Sequence, residues 1–102
     1  MEEQQKIGEL LRQLRLAKGL LLRELSVKTQ LDATLLSKIE HGDRLPTKEQ
    51  IRSFIKVYRA AKEKIMLSWL SDRIVQEVGQ EKLAIEAMSV AESKIRYSRV
   101  DR

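Results

Sequence analysis

His41 is the only histidine in the chain, and there is no cysteine. Catalysis or metal binding would have to be built from carboxylates, hydroxyls and amines. No Ser-His-Asp order, glycine-rich phosphate loop or coupled pair of acids appears. A lone imidazole without thiolates or clustered carboxylates does not make a metal site. The chain therefore reads as a non-enzyme that needs no cofactor and no metal. What remains is hydrogen bonding and charge, concentrated in residues 31–47, LDATLLSKIEHGDRLPT. Asp32 can open a helix there and Gly42 can close it. Between them Ala33, Thr34, Ser37 and Lys38 point outward, all small or cationic. A helix this short is marginal alone in water, so it must be held by its neighbours, and its outer face is free for contact.

Charge suggests the kind of contact. The 102 residues carry a net charge of +5, with 34% charged and 42% hydrophobic residues. Residues 1–60 hold 12 Lys/Arg against 8 Asp/Glu, and residues 61–102 hold 8 against 7. The basic excess thus lies with the short helix. A basic face suits a polyanion, usually nucleic acid, although a charge of this size also serves only to keep a small protein in solution. No apolar run approaches the ~20 residues that span a bilayer, and the polar start MEEQQK is unlike a secretion signal. The expectation is a soluble, cytoplasmic chain of one domain with an appendage, and no membrane partner.

The elements that position these residues all have helical period. Ile7, Leu10, Leu11, Leu14 and Ala17 form one apolar stripe, stopped by Gly19. A second helix covers about 21–29, with Leu22, Leu25 and Ser26 inward. The third covers about 33–41, with Leu36 and Ile39 inward against Leu25, Leu11 and Ile51. Thr47 and Gln50 match a capping box for a fourth helix, whose stripe is Ile51, Phe54, Ile55 and Tyr58. Residues 59–64, RAAKEK, hold no helix breaker, so the helix bends or stops there. A fifth helix carries Ile65, Met66, Trp69, Leu70, Ile74 and Val78, ending at Gly79. A sixth carries Leu83, Ala84, Ala87, Met88, Ala91 and Ile95, and the tail RYSRVDR reads as frayed. The fold class is all-α.

Two short helices joined by a tight turn, the second exposing small and cationic residues, form a helix-turn-helix. Residues 7–58 resemble the Cro/repressor-type (XRE-family) helix-turn-helix regulators. The resemblance rests on Gly19-Leu20, Leu25-Ser26, Ser37-Lys38-Ile39-Glu40-His41-Gly42 and Pro46-Thr47, with Arg12 and Arg15 as the R-x-x-R element of helix one. It implies a lambda-repressor-like bundle of four helices over residues 1–60, followed by two C-terminal helices over 61–102. Two departures stand out. Leu21 and Leu22 replace the Thr-Gln that the family usually has at the start of helix two, and Gln30 replaces the turn glycine.

On this reading Ala33, Thr34, Leu35, Ser37 and Lys38 reach base edges in a major groove about 12 Å wide. Arg12, Arg23, His41, Arg44 and Lys48 suit phosphates, which position without reading sequence, and the amides opening helix two add a further anion contact. The resemblance implies that Glu40, which would repel phosphate, pairs with Arg15. Beyond Arg52, the basic ridge Lys48, Arg52, Lys56 and Arg59 reads as solvated surface.

Helix-turn-helix proteins commonly bind as two-fold dimers with recognition helices about 34 Å apart. Trp69, Leu70, Ile74, Leu83, Met88 and Ile95 are the expected dimer interface. The expected function is sequence-specific regulation of transcription on an inverted-repeat operator in double-stranded DNA, by a repressor-like homodimer. Resemblance points to a restriction–modification controller beside a methyltransferase, or to an antitoxin whose extension binds its toxin. The rival from another class is a protein-interaction module that uses the helix-turn-helix only as a scaffold.

Overall fold

The computed structural model describes residues 5–100; the side chain of Val100 and residues 1–4, 101 and 102 lie outside it. The described residues form six α-helices and one 3₁₀ turn, with no strand among them. The helices are α1 (Ile7–Ala17), α2 (Leu22–Thr29), α3 (Ala33–Glu40), α4 (Lys48–Val57), α5 (Lys62–Val78) and α6 (Ala84–Val100), and the 3₁₀ turn is Arg59–Ala61. The all-α helix-turn-helix bundle expected from periodicity is the architecture observed.

One core holds α1 to α5 together. Leu11, Leu25, Leu36, Ile39, Ile51, Phe54 and Ile65 are fully buried, with Ile7, Leu10, Tyr58 and Trp69 around them. The core does not stop near residue 60. Ile65 and Trp69 of α5 fill it, so the first half of α5 belongs to the bundle. Trp69, expected at a dimer interface, is only 1% exposed, and its indole Nε1 donates to the Pro46 carbonyl at 2.7 Å. An aromatic at helical spacing packs wherever the nearest apolar surface lies, and here that surface is the same chain.

Further bonds tie α5 to the bundle. The first turn of α1 has no cap from its own N-terminal flank. Asp72 supplies one from 65 residues away, its Oδ2 accepting from the Ile7 amide at 2.8 Å. A carboxylate there also meets the positive end of the helix dipole. Next to it, the Ser68 hydroxyl donates to the Gln5 carbonyl at 3.2 Å.

Local signals behave unevenly. Thr47 and Gln50 form the capping box, Gln50 N–H donating to Thr47 Oγ1 at 3.1 Å and Thr47 N–H to Gln50 Oε1 at 3.0 Å. Asp32 occupies the N-cap position of α3, but its side chain makes no cap bond. Residues 96–100, expected to fray, continue α6. The α4–α5 break falls at Tyr58 (φ −113°, ψ 56°), where neither Gly nor Pro marks it. α5 ends at Gly79 as expected, with that residue in right-handed geometry.

Candidate nucleic-acid interface

α3 has eight residues and is held on its whole inner side. Leu36 and Ile39 are fully buried in the core that also holds Leu11, Leu25 and Ile51. α1 crosses close to its C-terminal end. A Cβ added at Gly8 would collide with the Ile39 carbonyl oxygen and lie 2.9 Å from that of Glu40. Only a residue without a side chain lets the two backbones come this near. After His41, Gly42 takes φ +83° and reverses the chain, with its amide bonded to the Ile39 carbonyl at 3.1 Å.

The α2–α3 turn is latched by side chains. Gln30 is left-handed (φ 60°, ψ 26°), and no other described non-glycine residue has positive φ. The Ser26 hydroxyl donates to the Leu31 carbonyl. The Thr29 hydroxyl donates to the Leu25 carbonyl at 2.8 Å and accepts from the Leu31 amide at 3.3 Å. Gln30 therefore adopts the conformation a glycine would take, and these bonds over-determine it.

With α3 fixed in this way, its outer face carries Thr34 and Lys38 exposed, with Ala33 and Ser37 half-buried beside them. Leu35 is half-buried and packs on the core, which leaves one edge outward rather than a free side chain. His41 folds back, its Nδ1 lying 2.7 Å from the Ser37 carbonyl oxygen.

The cations expected at phosphates, Arg12, Arg23, His41, Arg44 and Lys48, are all exposed. Arg12 and His41 share a hollow with Glu9, Gln13 and Glu40. Arg44 and Lys48 share another with Arg73, at the N-terminal end of α4. Arg23 lies in neither. Arg73 escaped sequence reasoning. It stands on α5, 4.9 Å above the Trp69 ring, and only the docking of α5 on the bundle brings it to Arg44. The Trp69–Pro46 bond fixes the loop that carries Arg44. At the start of α2, the Leu21 amide donates to Glu24 Oε1 at 2.8 Å, so this amide is occupied and a carboxylate sits where an anion was expected.

Arg15 and Glu40 form a two-bond pair, Nε to Oε2 at 2.8 Å and Nη2 to Oε1 at 3.0 Å, both side chains buried. Arg15 Nη1 also donates to the Leu20 carbonyl at 2.8 Å. Hydrogen bonding to Glu40 raises the guanidinium pKa above its usual value. The pair thus joins α1, α3 and the start of the helix-turn-helix, and Glu40 also lines the hollow that holds Arg12 and His41. Tyr58 packs near it with a buried hydroxyl that has no partner. Burial first, then the Glu40 charge, push this phenol up to about 12, against a smaller opposing effect of Arg15.

Of the remaining expected interface residues, Leu70, Ile74, Leu83, Met88 and Ile95 are exposed. They lie on the second half of α5, the turn after it and α6.

Among the described residues no group of three His, Asp or Glu side chains could hold a metal ion, and no helix is long and apolar enough to cross a membrane. No curated protein and no solved structure matches the chain. Residues 6–65, more than half of the sequence, match the family model of the helix-turn-helix domain, and the chain belongs to that family.

Proposed function

We propose that the chain is a sequence-specific DNA-binding regulator of transcription, of the Cro/repressor kind, acting as a homodimer on an inverted repeat. The observation that carries this reading is the rigidly held outer face of α3. Thr34 and Lys38 stand exposed on it, Arg44, Lys48 and Arg73 share one hollow, and Arg12 and His41 share another. The first two turns of α3 enter the major groove. Lys38 donates to guanine, and Ala33 and the Thr34 methyl meet thymine methyls. Arg12, Arg44, Lys48 and the newly found Arg73 hold phosphates and set the register. Arg15 and Glu40 hold the recognition helix against α1. Regulation is by occupancy, blocking or recruiting polymerase.

Selection from a random DNA pool, followed by salt titration of the best site, tests this. A symmetric motif with a steep salt slope is expected, because each phosphate contact releases counterions. Lys38→Ala should lose preference among sites, and Arg44→Ala should weaken all sites about equally and flatten the slope. No enrichment, with weak binding that vanishes near physiological salt, overturns the reading.

Within this function, a controller beside a methyltransferase needs no partner but DNA and its own second copy. In a second setting, an antitoxin whose extension binds a toxin, the toxin would cover the exposed apolar side of α5 and α6. Co-purification with one stoichiometric partner, in place of self-association, would decide for it.

A further inference from the structure

The second half of α5 and all of α6 form a helical hairpin with an open apolar trough. Ile74 and Val78 on one wall, and Met88, Ala91 and Ile95 on the other, line a groove of about 620 Å³. Met88 is 39% exposed and Ile95 54%. Ala84, Met88, Ala91 and Ile95 recur every three or four residues, the spacing of a helix–helix seam, and the alanines let a second helix come close. Two helices cannot enclose such a seam, but two hairpins can, as a four-helix bundle.

The charges on the groove select the occupant and its direction. Its lining carries two carboxylates, Glu77 and Glu92, and two guanidiniums, Arg96 and Arg99. Glu92 and Arg96 already pair along α6 at 2.9 Å. Glu77 and Arg99 form no salt bridge among the described residues. Glu77 lies one residue from the end of α5, at the turn of the hairpin, and Arg99 one residue from the end of α6. From Ala84 to Arg99 is roughly 22 Å of helix, so the groove is acidic near the turn and basic near its open end. An object with the same pattern, reversed, complements it, and a second copy related by a two-fold axis is such an object. Parallel pairing would instead set like charges side by side.

We infer that a second copy of this chain fills the groove, with its hairpin antiparallel, and that two reciprocal Glu77–Arg99 pairs flank the apolar seam. This deepens the homodimer of the reading above and rests on it. Leu70 and Leu83 lie outside the groove lining, and Trp69 lies inside the monomer core.

The test is sedimentation equilibrium of the full chain without DNA. Wild type should dimerise, and Ile95→Glu should be monomeric. E77R alone places Arg against Arg twice, and R99E alone places Glu against Glu twice. Each should raise the dimer dissociation constant by roughly tenfold, since exposed pairs are individually weak. An equimolar mixture of E77R and R99E chains restores both attractions, so it should dimerise as wild type does, and so should the double variant E77R/R99E. Both positions are exposed, so circular dichroism should report unchanged helix content. A monomeric wild type, single variants that dimerise normally, or a mixture without rescue each overturn the interface. A monomeric wild type that still enriches a half-site from the DNA pool would overturn this interface and leave the DNA-reading surface standing.

Discussion

The bundle of α1 to early α5 and the hairpin of late α5 and α6 are written in the same helical period, yet they use it in opposite ways. In the bundle the stripes meet one another, and seven large side chains are wholly buried. In α6 no described side chain is buried, and Ile85 is 79% exposed. The period of a sequence says that a helix has an apolar face. It does not say whether the same chain covers that face. The family match ends at residue 65, while the contacts that finish the bundle, Trp69 to Pro46 and Asp72 to Ile7, come from beyond it.

Substitution should separate the two regions most sharply at their apolar residues. Phe54→Ala should cost about 3–5 kcal/mol, a lost transfer energy plus a cavity. Ile85→Ala should move stability by less than about 0.5 kcal/mol. Urea unfolding of both variants makes the comparison, and equal losses would mean that α6 is covered in solution at Ile85 as well.

The buried pair comes next. Arg15→Met leaves the Glu40 carboxylate buried and unpaired, and should cost about 3 kcal/mol or more. Replacing both partners with apolar residues of similar volume should recover most of that loss. A double-mutant cycle reads the difference, and simple additivity would show the two side chains to be independent.

Gly8→Ala should cost about 1–3 kcal/mol, because the methyl group cannot fit against the Ile39 and Glu40 carbonyls without parting α1 from α3. DNA affinity should fall with it, since α3 loses its seat. Thermal unfolding and DNA titration on the same sample test both halves of that expectation.

At Tyr58 the effect depends on pH. Its phenol titrates at about 12 in the folded chain, against 10.0 for the free group. Above pH 10 the unfolded chain releases this proton and the folded chain keeps it, so stability should be complete below pH 10 and decline toward pH 12. Tyr58→Phe should remove that part of the decline. At neutral pH it should cost little or even stabilise, because the buried hydroxyl has no partner. A pH series of melting temperatures for both proteins checks the sign.

What was legible in the sequence was what local chemistry decides. The stripes of α1 to α4, the glycine stops and the capping box Thr47–Gln50 need only neighbours in the chain. The α4–α5 break, expected within residues 59–64, falls at Tyr58 and the 3₁₀ turn Arg59–Ala61; no breaker marks its exact place, and it lets Ile65 and Trp69 turn into the core. Asp72 could not be identified as the cap of α1, nor Arg73 as a neighbour of Arg44, because both depend on how α5 docks. Asp32 shows the reverse: the right residue type stands at the right position, and its side chain makes no cap bond. The outward position of Thr34 and Lys38 on α3 was readable from residue type and spacing, whereas the partial burial of Leu35 and the occupied amide at Leu21 were set by packing and by Glu24.

The smallest expected effect is at the turn itself. Gln30 holds a left-handed conformation that costs an L-residue roughly 1–2 kcal/mol. Gln30→Gly removes that strain but gives the unfolded chain more freedom, worth roughly 0.5–1 kcal/mol. The balance favours glycine by about 0.5 kcal/mol. The Ser26 and Thr29 bonds that latch the turn remain in place, so the orientation of α3 should not change. A slight rise in unfolding midpoint with unaltered DNA preference is therefore expected. A fall in stability would mean that the Gln30 side chain makes a contact worth more than the strain, and the turn would then be an adapted feature of this chain rather than a tolerated one.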